Sequence, residues 1–163
     1  EQLDLWLRRV YPEGGGGGNA GESYLLAWHF AANYTVSDSF KKRKTKGILI
    51  TIGDEPSLSS VSATELTEIY GKSNQHKIFS DKQLLYLAQQ TYNVYHVHML
   101  NGSAGKRSLN YWKNLLDQKC IPVENNEAAT DAIVEIIASN YPDQKVTAVV
   151  GDVTPNTQEV PFL

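Results

Sequence analysis

Two stretches of the chain combine oxygen donors with residues that bend the backbone. The first is Gly47-Ile-Leu-Ile-Thr-Ile-Gly-Asp54-Glu-Pro-Ser57. The second is a run of five glycines, Gly14 to Gly18, followed by Asn19-Ala-Gly-Glu22-Ser23. In the first, Ile48, Leu49, Ile50 and Ile52 make the apolar, β-branched run of a strand buried on both faces. Gly53 permits a turn or the close approach of another segment, and Pro56 stops the strand. Asp54 is thereby expected at the carboxyl end of a central strand, where open α/β sheets place their ligands. A magnesium ion takes hard oxygen ligands and keeps several waters. Asp54 and Asn19, at the ends of neighbouring elements, would give it one direct and one water-mediated ligand. The structural alternative is that Asp54 caps the turn and Asn19 caps the following helix.

Other constellations carry weaker chemistry. Residues 16–23 fit the outline Gly-x-x-x-x-Gly-x-Ser of a phosphate loop, but Glu22 stands at the lysine position and would repel phosphate. His96 and His98 share one face of a strand and could join Cys120 on zinc, yet no further ligand has suitable spacing, so packed histidines are the better reading. His29 and His76 lack companions. The basic run Lys41, Lys42, Arg43, Lys44 and Lys46 reads as a solvated loop rather than a docking site. Cys120, the single cysteine, reads as a small buried residue. No nucleophile elbow is present.

The chain has 163 residues, which fits one domain, with 41% hydrophobic and 20% charged residues, an ordinary globular balance. A net charge of −3 gives no general nucleic-acid footprint. No apolar run approaches the roughly 20 residues that cross a bilayer, and no signal peptide opens the chain. With one cysteine and no leader, a cytoplasmic location is expected, and the sequons at Asn33 and Asn101 are read as chance.

The elements that must position Asp54 are set by periodicity. Residues 2–10 form a short amphipathic helix ended by Pro12. Residues 22–33 form a second helix with Leu25, Leu26, Trp28, His29 and Ala32 on its apolar side. Residues 37–46 are expected as a loop, 47–52 as the key strand and 55–61 as a turn. Ser62 and Glu65 form a capping box for a helix over 62–70, and Gly71 stops it. Ser80 and Asp81 cap a helix over 81–92. Residues 93–100 read as a strand rich in β-branched and aromatic residues, 101–105 as a loop and 108–118 as a helix. Residues 120–124 form a short strand that Pro122 marks as an edge. Next come a helix over 126–139, a possible strand at 145–150 and a tail. This alternation predicts an α/β architecture, a Rossmann-like and mainly parallel sheet flanked by helices.

The order of helix, glycine-rich loop, helix, strand ending in Gly-Asp-x-Pro, helix, strand, Trp-containing helix, short strand and helix resembles the von Willebrand factor A (vWA) domain, specifically its carboxyl-terminal two thirds. Residues 14–22 resemble its second metal loop. Ile50 to Pro56 resemble its fourth strand and third metal loop. Tyr95 to Leu100, Trp112 with Leu115 and Leu116, and the helix over 126–139 resemble the family's fifth strand and its later elements. The family's first loop, Asp-x-Ser-x-Ser, is not found; Asp54-Glu-Pro-Ser57-Leu-Ser59 is off by one residue and contains a proline. The expected division is a vWA-like domain over 1–140, lacking its amino-terminal strands, and a terminal strand and tail over 141–163.

The resemblance implies a protein-binding module that recognises its partner through a metal-ion-dependent adhesion site, here a degenerate one. It implies magnesium as cofactor, with Asp54 and Asn19 as ligands. It implies Gly18, Glu22, Glu55, Ser57, Asn101 and Ser103 on the partner-binding surface. The partner would be a protein, in intracellular members often an ATPase or a multi-subunit assembly, and neither nucleic acid nor membrane. A metal-dependent phosphoryl or ester hydrolase using Asp54, with Glu22 or Glu55 as the second acid, is the alternative. A metal-free scaffold is the third.

Overall fold

The computed structural model describes residues 2–9, 21–71 and 78–141. Its elements are α1 (Gln2–Arg9), α2 (Tyr24–Tyr34), α3 (Asp38–Arg43), β1 (Gly47–Gly53), β2 (Ser60–Ser62), α4 (Ala63–Tyr70), β3 (Ile78–Ser80), α5 (Asp81–Gln89), β4 (Tyr92–Met99), α6 (Gly102–Leu116), β5 (Cys120–Val123) and α7 (Asn126–Asn140). The expected strand at 145–150, the tail, the glycine run, Gly18, Asn19 and His76 lie outside the described residues.

A parallel three-stranded sheet in the order β1-β4-β5 organises the chain. β1 runs in register with β4 from Gly47 opposite Tyr92 to Gly53 opposite His98. β5 pairs with the carboxyl half of β4, from His96 opposite Cys120 to Met99 opposite Val123. Alternation along β4 directs its side chains to two cores. Val94 packs with Leu25 and Trp28 of α2, Leu84 and Leu85 of α5, and Trp112 and Leu116 of α6. Val97 and Met99 pack on the other face with Ala129, Ala132 and Ile136 of α7. Helices thus cover both faces, and the fold is α/β with a mainly parallel, Rossmann-like sheet.

The caps match the sequence. Ser62 and Glu65 form a capping box at α4, and Ser80 and Gln83 form another at α5. Gly71 ends α4 with a positive φ of 71°, which glycine adopts without strain.

Three expectations are corrected. The loop over 37–46 contains α3, whose amino end Ser37 caps and whose first and last turns are tied by Lys42 to Asp38 at 2.7 Å. Only Phe40 in it is apolar, so no periodicity betrays it. The turn over 55–61 runs into β2, which pairs antiparallel with β3; strands of three residues are too short to alternate visibly. The loop over 101–105 is mostly helix, since α6 begins at Gly102. Glycine and serine are weak helix formers and conceal that start.

Candidate functional site

Asp54 comes directly after the last residue of β1, but among the described residues β1 is an edge strand and half-buried, not the central strand buried on both faces that its apolar run suggested; β4 takes the centre. The chain there is held from two sides. On one side lies the segment entering α2. Glu22 and Ser57 form an isolated parallel bridge. The Glu22 N–H donates to the Pro56 carbonyl at 2.9 Å, and the Leu58 N–H donates to the Glu22 carbonyl at 3.1 Å. Gly21 eases this approach, because a Cβ on it would sit a tight 3.1 Å from the Pro56 oxygen.

On the other side lies α6. The Ser108 hydroxyl donates to the Asp54 carbonyl at 2.5 Å, and the Trp112 indole N–H donates to the Glu55 carbonyl at 2.9 Å. Residues 108 and 112 are one helical turn apart, so a single face of α6 fixes two consecutive peptide groups. Gly105 brings α6 against β4; a side chain there would run into the Met99 carbonyl.

Beneath this loop His96 and His98 are fully buried. The Thr51 hydroxyl meets His96 Nδ1 at 2.9 Å, His96 Nε2 meets His98 Nδ1 at 3.2 Å, and His98 Nε2 meets the Gly105 carbonyl at 2.7 Å. A carbonyl can only accept. His98 therefore donates through Nε2; the Thr51 hydroxyl, which also reaches the Tyr95 carbonyl at 3.3 Å, closes the other end of the chain. Burial first, then the neighbouring His98, pushes His96 down to about 3 against an opposing hydrogen bond with the Gly53 backbone. The His96 ring also stacks on Trp112, with centroids 3.5 Å apart and planes 12° apart. The histidines serve packing, and Cys120 opposite His96 is buried beside them.

Tyr24 links the two sides. Its ring meets His96 and Trp112 edge-on, at 5.3 Å and 5.1 Å. It lies over Gly53, where any side chain would collide with its hydroxyl. The hydroxyl is held well above the usual tyrosine range, by burial first and then by the charges of Glu22, Asp54 and Glu55. It stays a proton donor at the point where three carboxylate fields converge.

The expected site residues divide. Glu22 and Asp54 share a cleft of about 440 Å³ with Ser23, Tyr24, Ala27, Ile52 and Gly53. Asp54 also borders a second cleft of about 400 Å³, with Asn101, Asn126, Thr130 and the apolar Ile52, Met99 and Ile133. Glu55 turns to a different depression, with Arg107 and Tyr111. Ser103 is exposed in the first turn of α6. Ser57 is buried at 6% exposure, beside the Tyr111 hydroxyl, so it packs the loop and offers little surface. Tyr24, Ser108 and Trp112 position the loop without having been singled out for it. Their signal was faint: a small residue and a tryptophan four apart on one helix, and a glycine just before the aspartate.

The magnesium ion that the resemblance implies finds only part of a donor set here. Among the described residues no three His, Cys, Asp or Glu side chains come together as metal ligands. Asp54 and Glu22 give two carboxylates at one cleft, and Asn19 lies outside the described residues. No described helix is long and apolar enough to cross a membrane. Comparison with protein-family models, with curated proteins and with solved structures gave no match.

Proposed function

We propose that the chain is a vWA-like protein-binding module, and that its rim at the carboxyl ends of β1 and β4 is a degenerate metal-ion-dependent adhesion site. The observation that supports this is the Glu22–Ser57 bridge. It draws the segment before α2 to the segment after β1, so that Glu22 and Asp54 border one cleft at the sheet end where open α/β folds bind ligands. The loop's carbonyls are tied inward to α6. Such a rim is fixed before a partner arrives, which lowers the ordering cost of association.

Calorimetric titration of Mg²⁺ and Mn²⁺ tests the reading, with p-nitrophenyl phosphate and p-nitrophenyl acetate as turnover probes. The expected result is weak cation heat in the wild type, none in Asp54→Ala, and no turnover in either. Cation-dependent turnover lost in Asp54→Ala would favour the hydrolase, with Glu22 as its second acid, since Glu55 points to another depression. No heat and no turnover would leave the metal-free scaffold.

A further inference from the structure

Glu55 does not line the cleft shared by Glu22 and Asp54. It borders a separate depression of about 300 Å³, whose other walls are Pro56, Ala104, Arg107, Ser108 and Tyr111. A carboxylate and a guanidinium thus belong to one small depression, yet they do not pair with each other. Among the described residues the ion pairs are Arg8 with Asp4 and Lys42 with Asp38.

Unpaired surface charges are ordinary, and an exposed pair contributes at most about 1 kcal/mol. What distinguishes these two is the frame that carries them. The Glu55 carbonyl accepts from the Trp112 indole at 2.9 Å, and Pro56 fixes its own φ directly after it. Arg107 precedes Ser108, whose hydroxyl donates to the Asp54 carbonyl. Backbone groups and their neighbours therefore bring Glu55 and Arg107 to the same place, and neither charge is consumed in holding the fold.

The aromatic wall is fixed as well. The Tyr111 hydroxyl donates to Asp81 at 2.8 Å, and its ring meets Trp112 edge-on with centroids 5.2 Å apart. With its polar end committed to Asp81, Tyr111 joins Pro56 and Ala104 as an apolar wall. Ligand pockets span about 300–1,000 Å³, so this one suits a small guest. A guanidinium takes a carboxylate in a two-pronged grip, and a carboxylate answers an ammonium. A polyanion would satisfy Arg107 but be repelled by Glu55, and a simple cation the reverse. A guest that answers all the walls carries both charges and an apolar group.

We propose that this depression binds the zwitterion of a free amino acid with an apolar side chain. Arg107 takes its carboxylate, Glu55 its ammonium, and Pro56, Ala104 and Tyr111 its side chain. The site uses neither Glu22 nor Asp54, so it stands or falls separately from the adhesion-site reading.

Nuclear magnetic resonance titration of the full chain with leucine tests it, read from the amide shifts of Ala104 and Arg107. Leucine is expected to bind with a Kd on the order of 1 mM. Leucinamide lacks the carboxylate and N-acetylleucine lacks the ammonium, and each is expected to bind about tenfold more weakly. The variants should give a crossed pattern. Arg107→Gln should no longer distinguish leucine from leucinamide while still preferring leucine to N-acetylleucine, and Glu55→Gln should do the reverse. Arg107 is exposed and Glu55 half-buried, and Trp112 bonds the Glu55 backbone, so neither substitution removes a bond of the frame. Absence of shifts with leucine would overturn the proposal. So would equal binding of the three compounds, or variants that weaken all three alike.

Discussion

Single residues at this site act through the space they leave. Gly53 gives Tyr24 its place, and Gly105 gives the Met99 carbonyl its place. The two glycines differ in what would have to yield. Gly53→Ala pushes on the end of a side chain and is expected to cost about 1–2 kcal/mol. Gly105→Ala pushes on backbone and is expected to cost more, about 3 kcal/mol. Urea denaturation of both variants measures the order, and a larger loss at Gly53 would contradict it. Titration gives a second test at this scale. His96 is held at about 3 by burial and His98, and burial also lowers His29. A histidine whose folded pKa is depressed gives stability that is complete above its unfolded value, near 6.5. As pH falls below that value the unfolded chain binds protons that the folded chain refuses. For His96 the loss runs from pH 6.5 down to about 3, at about 1.4 kcal/mol per unit, or about 2 kcal/mol by pH 5. His29 adds to it with the same sign. In His96→Gln the stability should fall less steeply between pH 6.5 and 5. An unchanged slope would mean that His96 is protonated in the folded chain.

At the level of elements, legibility depended on whether a signal was local. The capping boxes at Ser62 and Ser80 are local, because four adjacent residues contain the whole hydrogen-bond pattern, and both are present. Ser62→Ala is expected to lower stability by about 1 kcal/mol. The double variant with Glu65→Ala should lose less than the sum, since each side chain bonds the other's residue. A double-mutant cycle by thermal denaturation gives the coupling, and strict additivity would exclude it. β1 and β4 were legible for a related reason: both are runs of nearly all apolar or aromatic residues, although β1 is only half-buried and Ile52 in it is 49% exposed. α3 was hidden because its stabilising features are a charge pair and a cap, with Phe40 alone on an apolar side. β2 and β3 were hidden because their pairing joins distant residues, from Ser62–Ile78 to Ser60–Ser80. The site divides in the same way. Asp54 was readable from the strand that delivers it. The Glu22–Ser57 bridge and the hold of Ser108 and Trp112 on the loop link distant segments, and no spacing rule announces them.

Taken as one molecule, the described chain is a thin sheet between two cores that touch only through the strands. β4 serves both, with Val94 in one core and Val97 in the other, each fully buried. Removing two methyl groups from either side should cost about 2 kcal/mol. Because the two side chains point to opposite faces, Val94→Ala and Val97→Ala should add within about 0.5 kcal/mol. The decisive question is whether the cores melt together. Trp28 and Trp112 both sit in the first core, so in a Trp6→Phe background tryptophan fluorescence tracks that side, while far-ultraviolet circular dichroism also tracks α7 on the other. A shared central strand predicts coincident transitions, because neither core can lose β4 while the other keeps it. If Val97→Ala shifted the dichroism midpoint and left the fluorescence midpoint in place, the α7 side would be a separate unit. Its link to the rim beside Asp54, through Ile52, Met99 and Ile133, would then be too loose for a partner bound at that cleft to be felt across the sheet.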